Sequence, residues 1–379
     1  MAKLTPLLMA LDIIISLGVS LIYAVGLRSA LRSLRSLRPP PTSPPARPVT
    51  VVVPARNESK VIGGLMSSLS RIGPSRVVLV DDRSDDGTAE AAKSSADGFN
   101  LEVVRVDEVP PGWAPKPNAI MTGALRASYG SALLFLDADV FGDLGPLVSA
   151  ASRVKAGELA AFEPLFVCET SPCKAVQPLF TALLHGFYGF NRALDENDRH
   201  SLIYGCCWAL DPYTFWELGG VSRVRSSLLE DRELAVIAKG AGVRLVPYDA
   251  RAHVRVTSWR GLSDFLELAK RISYGTARSM SPTRFAVATV GLALLLAWPL
   301  AWVPLIVLRQ LAAAVGPLIS YVLQASLAYV GQRAEGLKGP WFLLSPLPAL
   351  LLLIGFVLSR RSPVSWKGQV IDPAKLRGT

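Results

Sequence analysis

The sequence predicts an α/β fold with a mostly parallel sheet, set between apolar helices at both ends of the chain. Three observations lead there. Apolar runs of strand length stop abruptly at polar, mostly acidic residues: Val49–Val53 at Pro54-Ala55-Arg56-Asn57-Glu58, Val77–Val80 at Asp81-Asp82, and Leu133–Leu136 at Asp137-Ala138-Asp139. Helix-like segments alternate with these runs, the βαβ order that implies parallel pairing. Hydrophobic residues make up 50% of the 379, and the mean hydropathy of +0.35 is high for a wholly soluble chain. The excess gathers at the two ends.

Leu4–Leu27 is apolar apart from Asp12 and small polar residues. At about 1.5 Å per residue it can cross a bilayer. No cleavage site follows, so a retained anchor with its amino terminus outside is expected over residues 1–27. Asp12 lies near the outer interface or has a function in the membrane. A basic and Pro-rich linker follows over 28–48: LRSLRSLR reads as a short interfacial helix, and Pro39–Pro48 as a stiff spacer. The α/β domain is expected over 49–283. Ser59 starts a helix through Ile72, Thr88–Ser95 is a second, Leu101–Val106 a third strand, and Pro117–Ala127 the helix before the LLFL strand. Membrane segments occupy 284–359, with a cytoplasmic tail over 360–379. Phe285–Leu308 and Trp341–Leu358 are strong spans. Three C-terminal crossings would put Arg360 and Arg361 on the wrong side. An even number is therefore expected, with Leu311–Gly331 interfacial, re-entrant or packed within the bundle.

The formal charge is +10. Arg28, Arg32, Arg35 and Arg38 flank the first span, which fits an anionic membrane surface and the positive-inside rule, not nucleic acid. The four cysteines, Cys168, Cys173, Cys206 and Cys207, lack paired CxxC spacing, which argues against structural zinc. A disulfide framework is not expected of a cytoplasmic domain. No GxGxxG follows the first strand and no GxxxxGK[ST] occurs, which disfavours a dinucleotide-binding or P-loop enzyme.

In open α/β sheets ligands sit outside the carboxyl ends of the strands, so three strands with polar ends imply one shared pocket. Side chains at i and i+2 share a face. Asp137 and Asp139 can therefore converge on one hard cation and the phosphates it holds.

These pieces together resemble an inverting family 2 glycosyltransferase of the GT-A type. The resemblance spans Val51–Asp231 through VVVPARNES, VDDRSDDGT, GWAPKPNA, LDADV and LLEDRELA (Leu228–Ala235). With its leading and trailing spans, the chain most resembles hopene-associated and carotenoid-type membrane glycosyltransferases. Trp366-Lys367-Gly368-Gln369 is similar to the WKGR of those enzymes, with Gln369 in place of arginine. The resemblance implies a membrane-bound, metal-dependent transferase of hexosyl type. It would move a sugar from a UDP- or GDP-linked donor to a lipid or lipid-linked hydroxyl, in a multi-pass protein of the cell membrane with its catalytic domain in the cytoplasm. A polyprenyl-phosphate acceptor and a non-catalytic membrane scaffold are the alternatives.

Each residue also has a chemical reading. Asp139 is the first choice as ligand to Mg²⁺ or Mn²⁺; Asp137 binds the metal through water or contacts the ribose. Asp81 and Asp82 accept hydrogen bonds from the base or ribose. The backbone at Pro54 and Ala55 and the side chain of Glu58 line the same site, unless Glu58 only favours a helix dipole. Asp85 and Asp86 build the turn and cap the next helix. Lys116 neutralises phosphate or faces solvent. Asp231 is the general base and Glu230 positions it or the acceptor, while both acids also suit a helix start. Arg271 binds diphosphate or is an interfacial arginine. Processive synthases carry QxxRW there; Leu268 and Ile272 fill the outer positions here, which argues against processivity. The aromatic stretch Ala175–Leu194 is core or the entry path of a lipid. Gly205-Cys206-Cys207 is a buried strand or part of the acceptor site.

Overall fold

The computed structural model describes residues 6–259, 261–366 and 369–371. Its elements run α1 (Pro6–Arg35), β1 (Val49–Ala55), α2 (Ile62–Ser70), β2 (Arg76–Asp82), α3 (Thr88–Ser95), β3 (Leu101–Val106), α4 (Pro115–Ala124), β4 (Ala132–Leu136), β5 (Val140–Gly142), α5 (Gly145–Ala151), β6 (Glu158–Glu163), β7 (Leu165–Val167), α6 (Ser171–Tyr188), α7 (Phe190–Ala193), β8 (Cys207–Leu210), α8 (Pro212–Glu217), α9 (Glu230–Gly240), β9 (Arg244–Asp249), β10 (Val254–Thr257), α10 (Leu262–Ser279), α11 (Pro282–Ala297), α12 (Trp302–Val307), α13 (Leu311–Ala334) and α14 (Pro346–Ser359). They form two compact units. One comprises Ser36–Val167 and Phe190–Thr257; the other comprises α1, Cys168–Gly189 and Ser258–Trp366.

The first unit is built on a seven-stranded sheet of order β3-β2-β1-β4-β8-β6-β9. β1 and β4 are buried along their whole length. A strand covered on both faces must be apolar throughout, which is why these runs read as continuous and not alternating. All neighbours pair in parallel except β8, which runs against β4 and β6. From β1 the chain winds through β2 to β3, then returns to place β4 on the other side of β1. The gap between β1 and β4 is thus the switch point where open sheets bind ligands. A three-stranded sheet, β5-β10-β7, adds to this unit.

Residues 36–48 behave differently from a free spacer. Arg38 bridges to Tyr248 of β9, with its N–H on Pro247 O at 3.1 Å. The Ser43 carbonyl accepts from Ser149 of α5 at 2.5 Å. Arg153 reaches Ser43 and Pro44, both at 2.8 Å. Arg47 ends the strap with an ion pair to Asp211 at 2.8 Å. The basic repeat before it does not form a separate helix, because α1 continues unbroken to Arg35.

The second unit has four helical stretches long and apolar enough to cross a membrane: Pro6–Arg35, Pro282–Leu300, Leu311–Ala334 and Trp341–Ser359. Its core joins Val19, Tyr23 and Ala30 of α1 to Leu179 and Ala182 of α6, Leu296 of α11, Leu327 and Ala328 of α13, and Ala349 of α14. The expected 49–283 domain therefore gives up 168–189 and 258–283 to this unit: α6 and α10 bury their apolar faces among helices. Phe180 of α6 meets Trp259 and Phe265 edge-on, at 5.3 and 5.5 Å. At Gly331 a Cβ would strike the Pro178 carbonyl, so a glycine lets α13 approach α6 closely. Cys168 and Cys173 form a disulfide, a local bridge that the cysteine spacing did not suggest.

Leu311–Ala334 is neither broken nor peripheral. It packs along α1, with Ser20 to Ser320 at 3.0 Å and Gln324 to Tyr23 at 2.7 Å. The segment that turns back is α14. Ser345, just before it, donates to Gln324 at 3.2 Å, halfway along α13, and Tyr23 at the same level donates to Leu295 near the end of α11. At its other end Phe356 stacks on Phe285, in the first turn of α11. Arg360 caps the Ala277 and Met280 carbonyls at 3.0 and 3.1 Å. α14 thus starts at mid-height of the bundle and ends where α11 begins. Of the readings expected for Leu311–Gly331, packing within the bundle is the one seen, and the polar residues of α13 are internal contacts; Trp341–Leu358, expected as a strong span, is the segment that turns back.

Candidate active site

Two turns open the site, and they are laced together. After β1, the Asn57 N–H donates to Ser84 Oγ at 3.0 Å, and Asn57 Oδ1 accepts from the Asp85 N–H at 3.1 Å. The Glu58 N–H donates to Thr88 at 2.8 Å, and Glu58 O accepts from Val61 and Ile62 as α2 begins. The expected helix start at Ser59 thus falls two to three residues later, because the Ser59 N–H is taken by Asp86 at 2.9 Å. Asp86 also accepts from Thr88, at 3.1 Å from N–H and 2.5 Å from the hydroxyl. Burial works against its charge, but the bonds from Thr88 and Ser59 outweigh it and hold the carboxyl down at about 2. Asn57 and Arg83 both adopt positive φ, 52° and 57°, which marks these turns as specifically shaped.

Asp81 and Asp82, at the end of β2, are each 1% exposed. Asp81 caps the turn through the Ser84 N–H at 3.0 Å and faces Arg105 at 3.4 Å. Asp82 Oδ1 is paired with Arg83 at 2.9 Å. Its Oδ2 lies 3.6 Å from Arg56 and has no hydrogen-bond donor among the described residues. A buried carboxylate oxygen without a donor is costly unless a ligand supplies one. Pro54 and Ala55 are buried in β1 beside Val80 and Asp81, so only their backbone is on offer.

The second cluster surrounds Lys116, in the first turn of α4. Its ammonium lies 2.9 Å from Asp137 Oδ1, 3.1 Å from Glu230 Oε1 and 3.4 Å from the Gly205 carbonyl. Burial alone would favour the neutral amine. Asp137, Glu230 and Asp231 outweigh it and hold the ammonium well above the usual lysine range. The expected solvent-facing alternative is therefore excluded: the Lys116 side chain is 17% exposed.

Asp231, in the first turn of α9, accepts from the Gly205 N–H at 3.0 Å and the Arg232 N–H at 2.7 Å. The Asp137 N–H donates to Cys206 O at 3.0 Å, so residues 205–206 touch both acid pairs. The Cys206 thiol is pushed up by Cys207, by burial and by the charges of Asp137 and Asp139. Asp139 leads straight into β5, and its carbonyl accepts from Thr257 of β10 at 3.4 Å.

The structure thus brings Lys116, Asp137, Glu230 and Asp231 together, with Asp139 one turn position away. Asp81, Asp82, Pro54, Ala55 and Glu58 lie at the ends of the neighbouring strands β2 and β1. Arg271 lies on α10 in the other unit; its Nε is buried without a hydrogen-bond partner among the described residues. Lys367 and Gly368 of the WKGQ motif lie outside the described residues. Sequence reasoning missed a role for Arg56, which had a signal, a cation inside a polar strand end. It named Gly205 as part of a buried strand or of the acceptor site, but not its contacts to Asp231 and Lys116.

One ammonium among three carboxylates leaves an excess of negative charge, which suits a cation. Among the described residues no group of three or more His, Cys, Asp or Glu is arranged to hold a metal.

Residues 50–211 match the family model described as glycosyl transferase family 2. A 4,4'-diaponeurosporenoate glycosyltransferase of Staphylococcus haemolyticus (strain JCSC1435) is 35% identical over 143 residues, 37% of this chain and 35% of that protein. Its namesake in Staphylococcus aureus (strain USA300) is 36% identical over 94 residues, 24% of each. The chain therefore matches about a third or less of the length of these relatives. The mannosyltransferase PcManGT from Pyrobaculum calidifontis, solved with GDP-Man and Mn²⁺, is similar in structure with a TM-score of 0.53 at 18% identity. That similarity covers 91% of this chain and 99% of the other, and it shows the fold: an α/β nucleotide-sugar transferase fold of GT-A type.

Proposed function

From a chain whose residues 50–211 match the glycosyl transferase family 2 model, we propose a membrane-bound, inverting glycosyltransferase. It takes a UDP- or GDP-linked sugar and passes it to a lipid or lipid-linked hydroxyl. The observation that carries this reading is the Lys116 ammonium, which ties Asp137 of the DAD turn to Glu230 of the ED pair. The donor end and the acceptor end of a transfer reaction thereby share one site.

Asp82 Oδ2 is the oxygen free to accept a hydrogen bond from the nucleoside, and the rigid turns after β1 and β2 shape its seat. Asp139 and Asp137 would hold Mg²⁺ or Mn²⁺, which when bound offsets the charge that develops on the leaving diphosphate. Lys116 keeps Asp137 and Glu230 at fixed separation. Asp231 removes the proton of the acceptor hydroxyl as that oxygen attacks the anomeric carbon from the side opposite the diphosphate, which inverts the centre.

The acceptor class rests on the second unit. Leu7, Ile14, Leu17 and Leu21 of α1 and Leu311, Val315 and Ile319 of α13 are exposed side chains on helices of membrane length. Apolar surface of that extent needs a partner such as lipid. We read α1, α11 and α13 as crossings and α14 as a re-entrant helix, which keeps Arg35 and Arg360 on one side, the cytoplasmic one by the positive-inside rule.

The test is a panel of UDP- and GDP-sugars against total membrane lipid, with products identified by mass. Asp231→Asn should lower turnover about 10³-fold or more while donor binding stays intact. Retained turnover would favour a polyprenyl-phosphate acceptor, which is already ionised and needs no base. Neither turnover nor metal-dependent nucleotide binding would leave a scaffold.

A further inference from the structure

We propose that Gly205 is a positioning residue of the transfer reaction: its N–H fixes Asp231 on one side and its carbonyl holds Lys116 on the other. The proposal rests on the reading of Asp231 as the base. Two contacts and one exclusion carry it. The Gly205 N–H donates to Asp231 Oδ2 at 3.0 Å. The Gly205 carbonyl accepts from Lys116 at 3.4 Å. A side chain at 205 has no room, because a Cβ there would lie 2.6 Å from Asp231 Oδ2, 3.0 Å from its Cγ and 3.1 Å from its Cβ.

The glycine is not explained by backbone strain, since Gly205 is absent from the residues with positive φ. Alanine would be acceptable to the main chain. What it cannot do is share space with the carboxylate of Asp231. That carboxylate has two oxygens with separate tasks. Oδ1 accepts from the Arg232 N–H at 2.7 Å, a contact to its own neighbour. Oδ2 is held from 26 residues away by Gly205. The second bond sets the direction in which the base points, and a base must stand within hydrogen-bond reach of the proton it removes.

The same residue borders the rest of the cluster. A backbone amide is a fixed dipole, positive at N–H and negative at C=O. The amide before Gly205 turns its positive end to a carboxylate, and the amide after it turns its negative end to an ammonium. Cys206, the next residue, accepts from the Asp137 N–H at 3.0 Å. One short stretch of main chain therefore sets the spacing between the acid proposed to take the proton and the turn whose acids are proposed to hold the metal ion. A displacement of about 1 Å at such a point can cost roughly 10²-fold in rate.

The experiment is a four-member set in the full-length chain: wild type, Gly205→Ala, Asp231→Gly and the double variant, with Asp231→Asn as a control. Turnover is read with whichever UDP- or GDP-sugar is active in the panel above. Donor-site integrity is read by UDP and GDP titration with Mn²⁺, and folding by the thermal midpoint. Gly205→Ala should lower kcat about 10²-fold and leave nucleotide affinity within about twofold, since the change is a loss of transition-state geometry only. In the Asp231→Gly background the three atoms nearest the added methyl are gone, and it should cost little further activity. The midpoint should follow the same pattern: a drop of about 3–6 °C on adding Gly205→Ala to wild type, and none on adding it to Asp231→Gly. Gly205→Ala that folds only in the Asp231→Gly background supports the proposal equally. Wild-type kcat in Gly205→Ala, additive losses in the double variant, or misfolding in both backgrounds overturns it. Turnover retained by Asp231→Asn sinks the base assignment and this proposal together, whereas loss in Asp231→Asn with wild-type kcat in Gly205→Ala sinks the role of Gly205 alone.

Discussion

At the end of β2, Asp81 and Asp82 are each 1% exposed and hemmed in by Arg56, Arg83 and Arg105. At the end of β4, the Asp137 side chain is 30% exposed and looks onto one lysine that it shares with Glu230. In sequence the two places look alike, a buried apolar strand running into acids. The difference lies in what stands around them. Arginines fixed beside a sunken carboxylate spend its charge locally and leave a single oxygen to accept a hydrogen bond. A lysine among several acids leaves net negative charge in a half-open place, which the proposed function gives to a cation and a diphosphate. The first arrangement suits recognition of an uncharged edge, and the second suits charge that develops during a reaction.

Substitutions can break this contrast or sharpen it. Asp139→Asn should have the largest effect, a fall in kcat of about 10³-fold with loss of the response to Mn²⁺, measured by initial rates across a metal titration. A kcat within a few-fold of wild type would remove the second acid pair from the reaction. Lys116→Met should come next. It leaves Asp137, Glu230 and Asp231 to repel one another without their cation, and breaking such a buried arrangement costs about 3–5 kcal/mol. Turnover should fall about 10²-fold and the thermal midpoint should drop, with Lys116→Arg recovering part of the midpoint. Asp82→Asn should be the mildest. It keeps an acceptor at the buried position, so donor KM should rise about tenfold, near 1.4 kcal/mol, while kcat changes little. A kcat effect as large as that of Asp139→Asn would show that the two strand ends are not divided as described.

Much of this arrangement was legible in the sequence. β1, β2 and β4 announced themselves because strands covered on both faces carry mostly apolar runs, and their acid ends lie at the carboxyl edge of the sheet, as expected. Thr88–Ser95 and Leu101–Val106 coincide with α3 and β3. The meeting of Lys116 with Glu230 was not legible, since 114 positions separate them and only the return of α9 to the mouth of the sheet joins them. Gly205 was hidden for another reason: it is required by what lies opposite it, not by any turn of its own. Which of the three readings of Leu311–Gly331 held was not legible, because hydropathy weighs residues one at a time. Ser320 and Gln324 look like interruptions until Ser20 and Tyr23 are seen to receive them.

The docked segment 36–48 carries one more consequence. β9 is the last strand of the seven, and an outermost strand offers its unpaired amides to any extended peptide that passes. Arg38 occupies part of that row through Pro247, Tyr248 and Asp249. The prolines beside it bring no N–H groups with which a further strand could pair. A stretch that reads as a leash is in this respect a hem, stitched along the fabric where it would otherwise fray into its neighbours.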